Sequence, residues 1–230
     1  MAPNTARAVN EYDEYGLEAA LKYKESEGED VEITVLSIGA PSAKDAVARG
    51  LAMGADKGIL VTSDAGHRGS LHTSRAIAEL VNRDDYDLIW LGHESSDSGT
   101  GNTGPQLSAI LGVPFVSNVV GFELGDDRSA LITREIEDGH AQVKASLPLV
   151  LCALSGLDEP RYPSLKGIMA ARRKPVEELV FADLDVSASD VEWGDLREEE
   201  RTISGTLIET EDPEEAAREL VALLRERNLI

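Results

Sequence analysis

The run Gly99-Thr100-Gly101-Asn102-Thr103-Gly104 has the spacing G-x-G-x-x-G. Small residues let backbone N–H groups close on an anion, and a helix opening at such a run favours negative charge at its N-terminus. The chemistry would be the holding of a nucleotide phosphate. A nicotinamide-dinucleotide site puts its first glycine directly after the strand. Here a seven-residue loop separates Leu91 from Gly99, and the unit is not the first in the sheet, so that reading is rejected. A nucleotide phosphate and an ordinary surface loop stay open as readings of these residues. Other chemistry is sparse. His67, His72, His93 and His140 lack metal-ligand spacing, and the sequence holds no H-E-x-x-H, C-x-x-C, G-x-S-x-G or P-loop word. Glu94 and Asp97 pair as carboxylates in spacing only. Cys152 has no second cysteine to pair with and lies in an apolar run, which reads as a buried core thiol in a reducing compartment.

The elements that must position this loop alternate in type. Helices are predicted over Glu14–Glu25, from Ser42 to a stop at Gly54, over Ser70–Asn82, and from the glycine loop to Leu111. Ser42 with Asp45 three residues on is the expected capping box of the second helix. Strands are predicted over Val31–Ile38, Gly58–Thr62, Asp87–Leu91 and Val113–Asn118. Strands alternating with helices at this spacing imply an α/β fold, a doubly wound and mostly parallel sheet. An antiparallel extension follows: Ile132–Ile136, a turn at Glu137-Asp138-Gly139, and a return over Gln142–Leu147. Leu149–Leu154 is short, apolar and buried. From Ser155 to Pro175 an extended loop is expected, carrying Tyr162, Leu165, Ile168 and Met169; exposed apolar residues on a loop suggest a surface that meets something. Phe181–Arg201 reads as an acidic arm, and Asp212-Pro213-Glu214-Glu215 opens a last helix with Leu220, Val221 and Leu224 on its apolar face. The expected division is a nucleotide-binding α/β domain over 1–180, including the loop 153–175, and an arm and helix over 181–230.

Composition bounds the partners. Hydrophobic residues make up 42%, enough for a sizeable core, and the net charge is −21. That balance argues against nucleic acid or an anionic membrane as partner. So acidic a surface fits a halophilic protein better than a merely acidic one. No run approaches 18 apolar residues and no signal peptide opens the sequence, which reads as a cytoplasmic protein without direct membrane insertion.

Several unusual words recur in order. They are Ala52-Met53-Gly54-Ala55-Asp56, Leu91-Gly92, Arg134-Glu135-Ile136 before an acidic-Gly turn, Leu147-Pro148-Leu149-Val150, Glu159-Pro160-Arg161-Tyr162, and Leu165 through Met169. In these words the chain resembles the beta subunit of electron transfer flavoprotein, over residues 10 to 230. The resemblance implies a heterodimeric electron carrier with no catalysis of its own. Its FAD is held mostly by the alpha subunit, and AMP or a second FAD by this chain. Electrons pass from dehydrogenases, such as the acyl-CoA dehydrogenases of fatty acid oxidation, toward a membrane quinone reductase. Carried over to this sequence, the cofactor-binding positions are Asn10, Tyr12, Ile38, Gly92, Asp97, Gly99, Thr100, Gly101, Asn102, Thr103 and Gly104. Tyr12 is the expected flavin neighbour. In Asn10-Glu11-Tyr12-Asp13 only the Asn and the aromatic match, and Gly99 stands where members with a second FAD often have an acidic residue, so AMP and FAD both stay open. Glu135 is implied to pair with an Arg of the alpha subunit, and Leu165 to anchor a dehydrogenase, with Tyr162, Ile168 and Met169 beside it. The bland alternatives are a solvated strand charge for Glu135 and a core contact under the loop for Leu165. Arg172-Arg173-Lys174 either steers an acidic partner or balances local charge. Two rival functions stand beside this one: a free-standing adenine-nucleotide-binding stress module, and an ATP-cleaving ligase, whose Ser-Gly-Gly-x-Asp-Ser word is absent.

The start is where the resemblance fails. Members open with an apolar strand and a loop before the Asn-x-aromatic word, whereas Met1 to Val9 holds no strand-length apolar run. Either the reading frame starts upstream or the partner subunit fills the gap, and the first is the expectation, because an unfilled interior strand costs many hydrogen bonds at about 1 kcal/mol each.

Overall fold

The computed structural model describes residues 8–27, 30–63, 69–125, 127–187 and 205–230. The chain forms two compact units, Met1–Glu192 and Trp193–Ile230.

The first unit contains helices α1 (Glu11–Glu27), α2 (Lys44–Met53), α3 (Ser70–Val81), α4 (Thr103–Leu111) and α5 (Leu165–Ala171), with strands β1 (Thr34–Gly39), β2 (Lys57–Thr62), β3 (Leu88–Gly92), β4 (Phe115–Leu124), β5 (Ser129–Ile136), β6 (Gly139–Ser146), β7 (Leu149–Ala153) and β8 (Val176–Val180). A three-stranded parallel sheet has the order β1-β2-β8, and a five-stranded sheet the order β3-β7-β4-β5-β6. In the second sheet β3, β7 and β4 run parallel, and β4, β5 and β6 antiparallel. The expected mostly parallel α/β class and its antiparallel extension are both present.

Helices cover the parallel strands from two sides. On one, Leu21 of α1 packs with Val47, Leu51 and Met53 of α2 and with Leu60. On the other, Ala76 and Leu80 of α3 pack with Val61 and Phe181, while Ala78 packs with Leu107 and Val150. Every residue of β7 is buried. A continuous Leu-Val-Leu-Cys-Ala run is what a parallel strand covered on both faces requires. Each such large side chain contributes about 1.5–3 kcal/mol by burial.

Local differences from the sequence reading have physical causes. β4 does not stop at Asn118. That residue adopts φ 58°, and the pairing register shifts between Val116 and Val119 and again between Val119 and Gly121. Asn tolerates the left-handed region, so the strand bends there and continues from its parallel partner β7 to its antiparallel partner β5. The expected capping box at Ser42 does not form. A 3-10 turn over Pro41–Ala43 precedes α2, whose N-cap Ala43 makes no side-chain cap bond. Gly54, at φ 148°, does end α2. The stretch expected as loop from Ser155 to Pro175 holds α5, and β8 follows it. Ser164 caps α5 by accepting the Gly167 N–H at 3.0 Å.

In the second unit α6 (Pro213–Glu226) starts as expected, with Asp212 Oδ1 accepting the Glu214 N–H at 2.9 Å. Leu220 and Val221 are exposed. The arm expected over Phe181–Arg201 lies largely outside the described residues. Among the described residues no helix is long and apolar enough to cross a membrane.

Candidate functional site

The loop from Gly92 to Asn102 leaves the C-terminal end of β3 and opens α4. Its form depends on glycine. Gly99 and Gly101 both sit at φ 57°, a region that costs most other residues about 1–2 kcal/mol. At Gly92 the reason is space: a Cβ there would lie 2.7 Å from Asn10 Nδ2 and 2.8 Å from both Asp13 N and Tyr12 Cβ. The start of α1 thus rests directly on the end of β3. Gly104 is buried, and its Cβ would fall 2.4 Å from Cys152 Sγ, so α4 begins as close to β7 as a helix can. Gly99 N–H donates to Ser95 O at 2.8 Å, folding the tip of the loop on itself.

Asn10 ties α1 to this loop. Its Nδ2 donates to Glu94 O at 2.9 Å and to Asp13 Oδ2 at 3.1 Å, and its Oδ1 accepts the Ser96 N–H at 3.3 Å. Asp13 Oδ1 accepts the Gly92 N–H at 2.6 Å. The protein crowded around Asp13 pushes its carboxyl above the usual carboxylate range, while the bonds from Gly92 and Asn10 pull it back. Tyr12 stands edge-on to His93, with ring centroids 6.2 Å apart. Ser74 Oγ, fully buried on α3, donates to Ser70 O at 2.9 Å and bonds Thr103 O at 3.2 Å, which fixes the first turn of α4.

Asn10, Tyr12, Gly92 and the run Asp97–Gly104 therefore converge at one strand end. Asp97, Gly99, Thr100 and Asn102 are exposed there. Ile38 lies near the C-terminal end of β1, where it packs with the cluster around Val61 and borders the same cleft as Asn10 and Asp13. This loop at a strand end opens a nine-residue helix, an arrangement whose N-terminal end favours an anion.

A second surface is built on α5. Tyr162 is 90% exposed, Leu165 76%, Met169 63% and Ile168 45%, so Leu165 is no core contact. The platform beneath is closely packed. Gly167 brings α5 onto α2, where a Cβ would lie 2.4 Å from Ala52 O. Lys174 Nζ donates to Ala55 O at 2.6 Å and Leu51 O at 3.0 Å; burial lowers its basicity below the ordinary lysine range. The basic triplet thus divides: Lys174 braces the end of α2, and Arg172 and Arg173 face solvent. Before α5, Arg161 Nη2 and Nε donate to the buried carboxylate of Glu18 at 2.8 Å, and its backbone N–H donates to the same group at 3.1 Å. Arg161 also grips Glu25, and Lys22 pairs with Asp158. Glu135 is exposed near the tip of the β5–β6 hairpin, opposite His140, and Arg134 donates to Ser117 Oγ at 3.1 Å.

Sequence reasoning missed Asp13, Glu18, Ser74 and the bracing role of Lys174. Glu18 left a signal. It stands three residues after Tyr15 and one before Ala19, on the buried stripe of α1. Its partner, 143 residues away, left none.

The comparisons agree with this geometry. Residues 2–184 match the model of the electron transfer flavoprotein domain. The chain is 36% identical over 225 residues to the electron transfer flavoprotein subunit beta of Bacillus subtilis, covering 94% of this chain and 85% of that one. It is 36% identical over 186 residues to the subunit beta of Methylophilus methylotrophus, covering 80% and 70%. The mitochondrial subunit beta of Arabidopsis thaliana is 34% identical over 214 residues, covering 91% and 83%. By its strand-end loop, its sheet order and these likenesses, the chain belongs to the electron transfer flavoprotein family, among its beta subunits.

Proposed function

We propose that this chain is half of a two-subunit flavin electron carrier. It binds an adenine nucleotide, AMP or a second FAD, through the loop Gly92–Gly104. It covers one side of an FAD held mostly by an alpha subunit, with Tyr12 nearest the ring. The flavin, when bound, supplies the one- and two-electron chemistry. The residues of this chain bind, orient and dock. The N–H groups of the glycine loop and the first turn of α4 receive phosphate oxygens. Asn10 and Asp13 hold that loop in register with α1. Glu135 pairs with an Arg of the alpha subunit, and α6 lays Leu220 and Val221 on it. The α5 face meets flavin dehydrogenases, acyl-CoA dehydrogenases among them, and electrons continue toward a membrane quinone reductase.

One observation carries this reading: four large apolar side chains are held in solvent on a platform braced from three directions. An apolar face without such bracing would collapse onto the core. The test uses the heterodimer. Co-purified with its alpha subunit, the complex should carry a visible flavin band and release AMP, or a second FAD, on heating in about one-to-one ratio with subunit. Leu165→Ala should leave folding and flavin content intact and weaken docking by about 2 kcal/mol, read as slower flavin reduction by the dehydrogenase. A complex without flavin, or a Leu165→Ala variant as fast as the parent, overturns the reading.

A further inference from the structure

One arginine stands apart in this acidic chain. The sequence holds 43 acidic and 22 basic side chains, so a half-buried guanidinium ordinarily finds a carboxylate. Arg134 on β5 is half-buried. Among the described residues it meets no carboxylate: its Nη2 donates to Ser117 Oγ at 3.1 Å, and its Nε is buried with no hydrogen-bond partner. A charge taken from water without a partner is costly, and so is an orphaned donor. An anion seated on the group removes both costs.

β4 places this guanidinium. Phe115 pairs with Val150, Val116 with Leu151 and Val119 with Ala153, so Ser117 and Asn118 lie beside Cys152. Phe115 and Ser117 point to one face of the strand and Val116 to the other, in keeping with their alternating burial. The first turn of α4 rests on the Phe115 face: a Cβ on Gly104 would lie 2.4 Å from Cys152 Sγ and 3.0 Å from Phe115 Cε2. Arg134, held on Ser117 one pleat further along, therefore stands beside the start of α4. That is the C-terminal end of β7, whose Ala153 pairs with Gly92 of β3.

The loop that opens α4 has no cation of its own. From Gly92 to Gly104 it holds no Lys or Arg, and it carries the carboxylates of Glu94 and Asp97. Asp13 lies against its start. These charges repel a phosphate, and within the loop only backbone N–H groups offset them. A guanidinium matches phosphate oxygens two at a time, and Arg134 brings its charge to this end of the sheet without a competing carboxylate.

We propose that Arg134 is a phosphate-binding residue: its guanidinium supplies the positive charge for the phosphate of the adenine nucleotide assigned above to the glycine loop. This rests on that nucleotide reading and adds to it a residue of the antiparallel extension. The N–H groups of the loop and of the first turn of α4 receive the phosphate from one side, and Arg134 from the other. Ser117 is a positioning residue, since its Oγ holds Nη2. The bend at Asn118, with φ 58°, is where β4 leaves β7 and takes β5 as its partner, which brings Arg134 to this place. Glu135 points to the opposite face of β5, so adjacent residues of one strand serve two different surfaces.

The experiment uses the heterodimer with its alpha subunit, unfolded and refolded with one equivalent of FAD so that the second nucleotide position is free. AMP and adenosine are titrated into it by calorimetry, in the parent, in Arg134→Gln and in Arg134→Lys. The parent should bind AMP about tenfold or more tighter than adenosine. Arg134→Gln should lose most of that ratio, with adenosine affinity and the flavin band unchanged. Arg134→Lys, which keeps the charge but not the planar fork, should keep only part of it. Equal loss of AMP and adenosine in Arg134→Gln would make Arg134 a packing residue and overturn the proposal. An unchanged ratio in that variant overturns it too, while leaving the nucleotide on the loop. A parent that binds neither compound overturns both the proposal and the reading beneath it. If Arg134→Gln does not assemble, Arg134→Lys decides: a ratio lowered several-fold supports the proposal, and a ratio equal to the parent's overturns it.

Discussion

At the scale of single residues, charge is used for bracing. Glu18 is 3% exposed at its side chain and meets Arg161, which is 32% exposed. Glu18→Gln keeps the shape and removes the charge. It should cost about 2 kcal/mol in a urea titration and speed exchange of the Arg161 amide, which donates to this carboxylate. Glu25 contacts the same guanidinium but is 60% exposed, so Glu25→Gln should change stability by less than about 0.5 kcal/mol. A larger loss for Glu25→Gln would show that burial does not rank the two. Cys152 is 1% exposed, and burial, with the nearby Asp13 carboxylate adding, pushes its thiol up to about 12. It should resist iodoacetamide at pH 8 in the folded protein and react once unfolded, as intact mass would record. The inertness of Cys152 was legible in its Leu-Val-Leu-Cys-Ala setting. The Glu18–Arg161 pair was not, because a pairing across 143 residues leaves no local periodicity.

At the scale of elements, glycine decides where helices dock. Gly104→Ala would gain about 1 kcal/mol of helix propensity. The new Cβ would lie 2.4 Å from Cys152 Sγ, however. Overpacking of this kind costs about 1–3 kcal/mol, so the variant should be less stable, with a lowered urea midpoint. Strand and helix types were legible because their periods are local. The bend of β4 at Asn118 and the parallel pairing of β8 with β2 were not, since both depend on which strand lies alongside. The helix in the stretch before Pro175 had a signal in the Leu165, Ile168, Met169 spacing and in Ser164, but its Gly and Pro neighbours suggested a loop. The hairpin also carries a pH signature. The Ser129 hydroxyl and Lys144 hold the Asp127 carboxyl at about 2, below the usual 3.8. A depressed carboxylate stabilises above its ordinary value and loses that contribution as pH falls through about 2. Exchange protection of β5 amides should fall in that window and lose part of this dependence in Asp127→Asn.

At the scale of the molecule, the dominant fact is a net charge of −21. Self-repulsion of this size acts over about 30 Å at 0.01 M salt and about 3 Å at 1 M. Melting temperature should therefore rise with KCl into the molar range. A melting temperature independent of KCl would remove the salt-adapted reading of the surface. The placement of Asn10 and Tyr12 against Gly92 belongs to this scale too, since it joins the first helix to the third strand. No spacing rule gives that contact; it came only with the resemblance.

The outward side of α5 has a consequence for inheritance. Leu165 and Met169 are largely exposed, while Gly167 and Lys174 hold the helix and its end against α2 and Arg161 ties the segment before it to α1. Changes at the two exposed positions are therefore nearly neutral for folding. With the docking role proposed for this face, single substitutions there would change the partner without passing through an unstable ancestor.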